Sequence, residues 1–154
     1  MKRILALVCS LALMAMLFAG CGNGGNNEQG SGDETGNGIS AADIKVGVIH
    51  IGDPATGSGY SYTHDQGIVA MQDTLGLSDD QIIRKNNIDD TDSTAIDNAM
   101  RECVEEGCNI IFATSWGYMD TCEALAAEYP NVFFSHATGY MSNDTNFNNY
   151  FGRI

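Results

Sequence analysis

Residues Lys45 to Gly67, KVGVIHIGDPATGSGYSYTHDQG, combine a buried-strand pattern, a glycine-rich turn and a helix start in one run. Lys45 to Ile51 sets Val46, Val48, Ile49 and Ile51 around one glycine, the pattern of a strand covered on both faces. Gly52 to Gly59 then supplies a proline and three glycines, so the chain turns there. A strand-to-helix loop of this kind lies at the carboxyl edge of a sheet, where open α/β folds bind ligands.

Downstream the same grammar repeats. Tyr60 to Leu75 predicts a helix with His64, Ile68, Met71 and Leu75 on one stripe, closed by Gly76. Gln81 to Ile88 reads as a second, more polar strand near a sheet edge. Asp89 to Ser93 offers N-caps for a helix that carries Ile96, Met100 and Cys103 and ends at Gly107. The same acids could suggest calcium, but the glycine and distal glutamate of an EF-hand are missing, and capping needs no ion. Asn109 to Thr114 is a third strand; Ser115 to Asp120 leads into a third helix, with Met119, Cys122, Leu125 and Ala126 inward and Pro130 as its stop. Asn131 to Ser135 reads as a fourth strand, His136 to Asn146 as a polar loop, and Phe147 to Arg153 as a fifth strand. Alternating strands and helices predict an α/β fold, a Rossmann-like parallel sheet flanked by helices, beginning near Asp43. A helix is expected after the fifth strand, and the chain stops at Ile154, so the sequence reads as cut.

Upstream, Lys2 and Arg3 precede an apolar run from Ile4 to Phe18 that is short for a membrane span. Phe18-Ala19-Gly20-Cys21 resembles the lipobox of bacterial lipoproteins. That resemblance implies a signal peptide over 1–20, acylation of Cys21, and anchoring by lipid outside the cytoplasmic membrane. Gly22 to Ala42 is Gly, Asn, Ser and acid, a flexible tether. The formal net charge of −13 disfavours nucleic acid and anionic headgroups. With Cys9 and Cys21 set aside, Cys103, Cys108 and Cys122 remain, an odd number that allows one bridge or three buried thiols and has poor zinc spacing. No metal or cofactor is expected.

The expected carboxyl-edge loops are Gly52 to Gly59, Asp89 to Asp92, Ser115 to Asp120, and His136 to Tyr140. The first and third share a composition: a carboxylate (Asp53, Asp120) and exposed-looking aromatics (Tyr60 and Tyr62; Trp116 and Tyr118). Aromatic faces stack on flat rings and carboxylates accept hydroxyl hydrogens, so a nucleoside or similar ring-plus-polyol ligand suits them. Each residue also has a structural role open to it: the tyrosines covering a helix start, Trp116 in the core or at its rim, the aspartates as caps. Their joint placement on one edge favours the ligand. Phosphate is poorly served, since no Lys follows Gly57-Ser58-Gly59. Ser115 and Ser135 lack a nucleophile-elbow setting, and His50, His64 and His136 are scattered, so structural histidines are expected and no catalytic constellation emerges.

KVGVIHIGDPATGSGYSYTHDQG, IIFATSWGYMD, AAEYPNVFFSHATGY and NYFGRI together resemble the amino-terminal lobe of the basic membrane protein (Bmp) family, the substrate-binding lipoproteins of nucleoside ABC importers. The resemblance implies a type I periplasmic-binding-protein fold, with two lobes closing on a nucleoside or purine that is handed to an ABC permease without chemical conversion. It implies that Asp53 and Tyr60 or Tyr62 stand in the first binding loop, that Trp116 is the aromatic ending the third strand, and that Asp120 holds ligand hydroxyls. Tyr60-Ser61-Tyr62 departs from the Phe-Asn pairing common in nucleoside members, which leaves the base open; some relatives bind other flat ligands such as riboflavin. Two lobes of about 100–150 residues are required, so only the first is expected here, and this chain alone is expected to bind nucleosides weakly or not at all. The alternative is a surface sensor or interaction lipoprotein without transport; an enzyme on a flavodoxin-like sheet is the third reading.

Overall fold

The computed structural model describes residues 38–151. The expected signal peptide, Cys21, most of the tether and the end of the expected fifth strand at Arg153 lie outside the described residues. The elements are β1 (Val46–Ile49), α1 (Gly59–Leu75), β2 (Ile82–Lys85), α2 (Ser93–Glu105), β3 (Ile110–Ala113), α3 (Met119–Glu128), β4 (Phe133–Ala137) and β5 (Phe147–Tyr150). Every ladder is parallel and the strand order is β2-β1-β3-β4-β5, with β2 at an edge as its polarity suggested. Before β1, Ser40 bonds the Asp43 carboxylate and Gln81 donates to the Ala41 carbonyl, so the body takes hold of the chain a few residues ahead of Asp43.

β1 alternates between two cores. Val46 and Val48 face α1 in a cluster with Ile68, Leu77 and Ile82. Ile49 faces α2 and α3, among Ile96, Met100, Cys103, Ile111, Leu125 and Phe134. Gly47 has no side chain for a reason: a Cβ there would lie 2.9 Å from the Cys103 Cβ, so glycine is what lets α2 pack this close to the sheet. All three remaining cysteines are buried free thiols.

Local signals predict the helices well. Asp92 caps α2 through bonds from the Thr94 and Ala95 amides at 3.1 and 3.0 Å, and Asp89 bonds the Thr91 amide and hydroxyl. The inward stripe of α3 is buried as expected. One position on α1 differs. Leu75 is exposed, because Gly76 ends the helix in the left-handed region (φ 66°) and turns Leu77 into the core instead.

β4 differs more. It begins two residues later than the sequence suggests, because Asn146 reaches back and donates to the carbonyls of Ala126, Tyr129 and Val132 at 2.9, 3.1 and 2.9 Å. Those carbonyls are thereby satisfied outside the sheet. His136, expected in a loop, lies within β4 because it pairs with Ala113 of β3 and Asn149 of β5, and it is fully buried.

Candidate ligand-binding site

The strand order fixes where the sheet opens a crevice. From β1 the chain moves outward to β2, then returns across β1 to β3, so the loops after β1 and β3 diverge to opposite faces of the sheet. Such a reversal opens a crevice at the carboxyl ends of β1 and β3. The two loops singled out from sequence are the two that flank it.

In the first loop Asp53 is exposed and caps a short 3-10 turn, Pro54–Thr56, accepting a 2.9 Å bond from the Ala55 amide. The turn ends on Gly57 at φ 74°, a left-handed conformation that glycine adopts without strain. The Gly52 amide donates to Ser61 Oγ at 3.0 Å, which ties the loop to the first turn of α1. Tyr60, 47 % exposed, stacks obliquely on His64 with centroids 4.5 Å apart. Burial raises its hydroxyl pKa, and the nearby Thr138 side chain opposes that shift. Tyr62 is half-buried; two positions along a helix point in different directions, so the two tyrosines do not share one wall.

The third loop is stitched to the loop after β2. Ser115 donates a 2.6 Å bond to the Asp90 carboxylate, and the Tyr118 hydroxyl donates to the Ile88 carbonyl at 2.6 Å. Tyr118, which looks exposed from sequence, is fully buried for that reason, and burial raises its hydroxyl pKa. Gly117 packs directly on the Asp90 carbonyl, leaving no room for a Cβ. Trp116 is left 57 % exposed at the rim. Asp120 is exposed in the first turn of α3, where the helix dipole favours its negative charge.

Two residues emerge that sequence reasoning did not select. Tyr140, in the loop between β4 and β5, is 73 % exposed and faces Trp116 with ring centroids 5.9 Å apart at 51°. Asp90 anchors the Trp116 loop from the neighbouring turn. Both lie in stretches recognisable as carboxyl-edge loops; what the sequence lacks is any sign that these loops touch the Trp116 turn.

Below the crevice His50 and His136 are buried and bonded into the fold. His50 Nδ1 lies 3.3 Å from Thr114 Oγ1 and its Nε2 lies 3.3 Å from Asp65, which also holds Arg84 at 2.7 Å. His136 Nε2 donates to the Ser115 carbonyl at 2.7 Å, bracing the Trp116 turn from beneath. An open apolar groove of about 390 Å³ runs along α1, lined by His64, Ile68, Met71, Phe112 and Tyr150 among others. It contains none of the five residues selected from sequence.

The sheet order, the helices on both faces and the crevice at the switch point define an α/β lobe of Rossmann-like architecture. The chain belongs to the Bmp family of PnrA-like ABC transporter substrate-binding proteins, whose family model matches residues 44–154. It is 35 % identical over 101 residues to a purine-binding protein of Brucella abortus, covering 66 % of this chain and 28 % of that protein. It is 30 % identical over 125 residues to a Haloferax volcanii protein named for glucose binding in an ABC transporter, covering 81 % of this chain and 29 % of that protein. The chain therefore spans less than a third of the length of these curated relatives. Among solved structures, an ABC transporter solute-binding protein from Conexibacter woesei matches with a TM-score of 0.55 at 16 % identity, over 70 % of this chain and 35 % of that one. A transcriptional activator of the comK gene from Bacillus halodurans matches with a TM-score of 0.56 at 16 % identity, over 68 % and 33 %. These two likenesses establish the fold.

Proposed function

We propose that this chain forms one wall of the ligand cleft of an extracytoplasmic solute-binding lipoprotein, which captures a nucleoside or purine-like compound for an ABC permease without converting it. The observation that carries this reading is the crevice between β1 and β3, flanked by the exposed carboxylates Asp53 and Asp120 and the exposed rings of Tyr60 and Trp116. The rings offer π-faces to a planar base, and the carboxylates accept hydrogens from ribose hydroxyls. The family supplies the transport context, and the relative named for purine binding supplies the ligand class. The relative named for glucose binding supports a second reading, a sugar, because carboxylates and a Trp also suit a pyranose.

The body over residues 43–154 would be held by acylated Cys21 and the tether over 22–42 after removal of residues 1–20. Among the described residues no helix is long and apolar enough to cross a membrane.

Trp116 is the sole tryptophan, so its emission reports the site directly. Adenosine and guanosine are expected to change that emission saturably but weakly, near the millimolar range, since one wall encloses little of a ligand. Glucose should have less effect. A saturable response to glucose with none to nucleosides would replace the ligand class, and micromolar nucleoside binding by this chain in calorimetry would overturn the one-wall reading. For the anchor, labelled fatty acid should enter the wild-type protein in bacteria and not Cys21→Ser; equal labelling of both would refute acylation at Cys21.

A further inference from the structure

The first aromatic wall of the crevice is legible in the sequence, but the ring opposite Trp116 is not. Tyr140 and Trp116 are two large aromatic side chains that lie together and leave most of their surface in water. Burying such rings is favourable, so an exposed adjacent pair marks a contact surface.

The backbone that presents Tyr140 is held under constraint. Thr138 has φ 68°, in the left-handed region that a β-branched residue avoids. Its amide is fixed by the Tyr150 carbonyl at 2.9 Å. Gly139 lies so close to the His136 ring and the Asn149 side chain that no Cβ fits. The Tyr140 amide then donates to Met119 Sδ at 3.4 Å, the first residue of α3. Strain of this kind persists where surrounding structure over-determines it, and it concentrates at ligand sites. From this turn Tyr140 meets Trp116.

We infer that Tyr140 is a specificity-determining residue of this site, closing on a planar heterocycle stacked against Trp116 and so favouring a purine-sized ring over a monosaccharide. This rests on the nucleoside reading of the crevice. At 51° and 5.9 Å the two rings are in tilted contact with each other. Because Tyr140 is largely solvent-exposed, its ring swings away from Trp116 about its side-chain bonds at small cost. A flat base that enters between them gains two faces. A pyranose, which is not flat, gains little from the second.

The test titrates the 154-residue chain, its Tyr140→Phe and Tyr140→Ala variants, with adenosine and with glucose, following Trp116 emission and the single tryptophan indole N–H resonance. Stacking on an aromatic side chain is worth enough that Tyr140→Ala should weaken adenosine binding about five-fold or more. Tyr140→Phe should stay within about two-fold of wild type, since it keeps the ring. Melting curves establish that the variants fold, as expected at an exposed position. If Tyr140→Ala binds adenosine as well as wild type, the inference is overturned while the nucleoside assignment stands. An adenosine response that falls equally in Tyr140→Phe would also overturn it, because the hydroxyl and not the ring would then be responsible. If wild type gives no saturable response to adenosine, the ligand assignment fails and the inference goes with it.

Discussion

His50 is fully buried at the end of the strand that leads into the Gly52 to Gly59 loop. Burial lowers its pKa from the ordinary 6.5, and the Asp65 carboxylate opposes that shift without reversing it. His64 shifts the same way, through burial and the nearby His50. When a folded-state pKa lies below the unfolded value, the unfolded chain binds the extra proton between the two. Stability is therefore full above about pH 6.5 and is lost as the pH falls through the lowered value. The melting temperature should drop as the pH falls below about 6.5, and His50→Asn should flatten part of that slope. An unchanged slope in the variant would remove His50 from the account. A second single-residue effect is expected at Gly117, where a methyl group meets the Asp90 carbonyl. Gly117→Ala should cost about 1–3 kcal/mol and shift Trp116 emission; wild-type emission and stability would contradict the close approach inferred there.

Two capping devices differ in how far they reach, and this decides how legible each was. Asp92 caps α2 from the adjacent residue, and its signature of an acid before a 3.6-residue apolar period is wholly local. Asp92→Ala should cost about 1 kcal/mol in urea unfolding. Asn146 acts on three carbonyls 14 to 20 residues earlier. Its removal leaves buried acceptors unpaired, so Asn146→Ala should cost about 3 kcal/mol; a loss no larger than that of Asp92→Ala would refute the distinction. The same contrast explains the sequence reading as a whole. Helix stripes, the edge position of β2 and the carboxyl-edge loops after β1 and β3 follow from spacing within a few residues. The start of β4, the burial of His136 and Tyr118, and the pairing of Tyr140 with Trp116 depend on partners from other loops. Asp53 illustrates the overlap between roles, since it caps a turn with one oxygen and stands exposed at the crevice. Neither role cancels the other.

The two faces of the sheet are unevenly covered. α2 and α3 pack on one face, against Ile49, Ile111, Phe134 and Phe147. On the other, α1 covers Val46, Val48 and Ile82. By strand alternation Phe133 and Ser135 of β4 and Asn148 and Tyr150 of β5 point to that second face, beyond α1. There Phe133 is 47 % exposed, and the apolar groove beside Phe112 and Tyr150 opens on the same face. An apolar surface on a chain of net charge −13 sets two forces against each other. Mutual repulsion keeps copies apart at low ionic strength; at about 1 M salt the screening length falls to about 3 Å and the apolar surface governs. Light scattering should accordingly show self-association that grows with salt, and Phe133→Ser should reduce it without lowering the melting temperature, since an exposed ring contributes little to the fold. Association that salt weakens instead would mean that charge contacts, not this half of the sheet, bring the copies together.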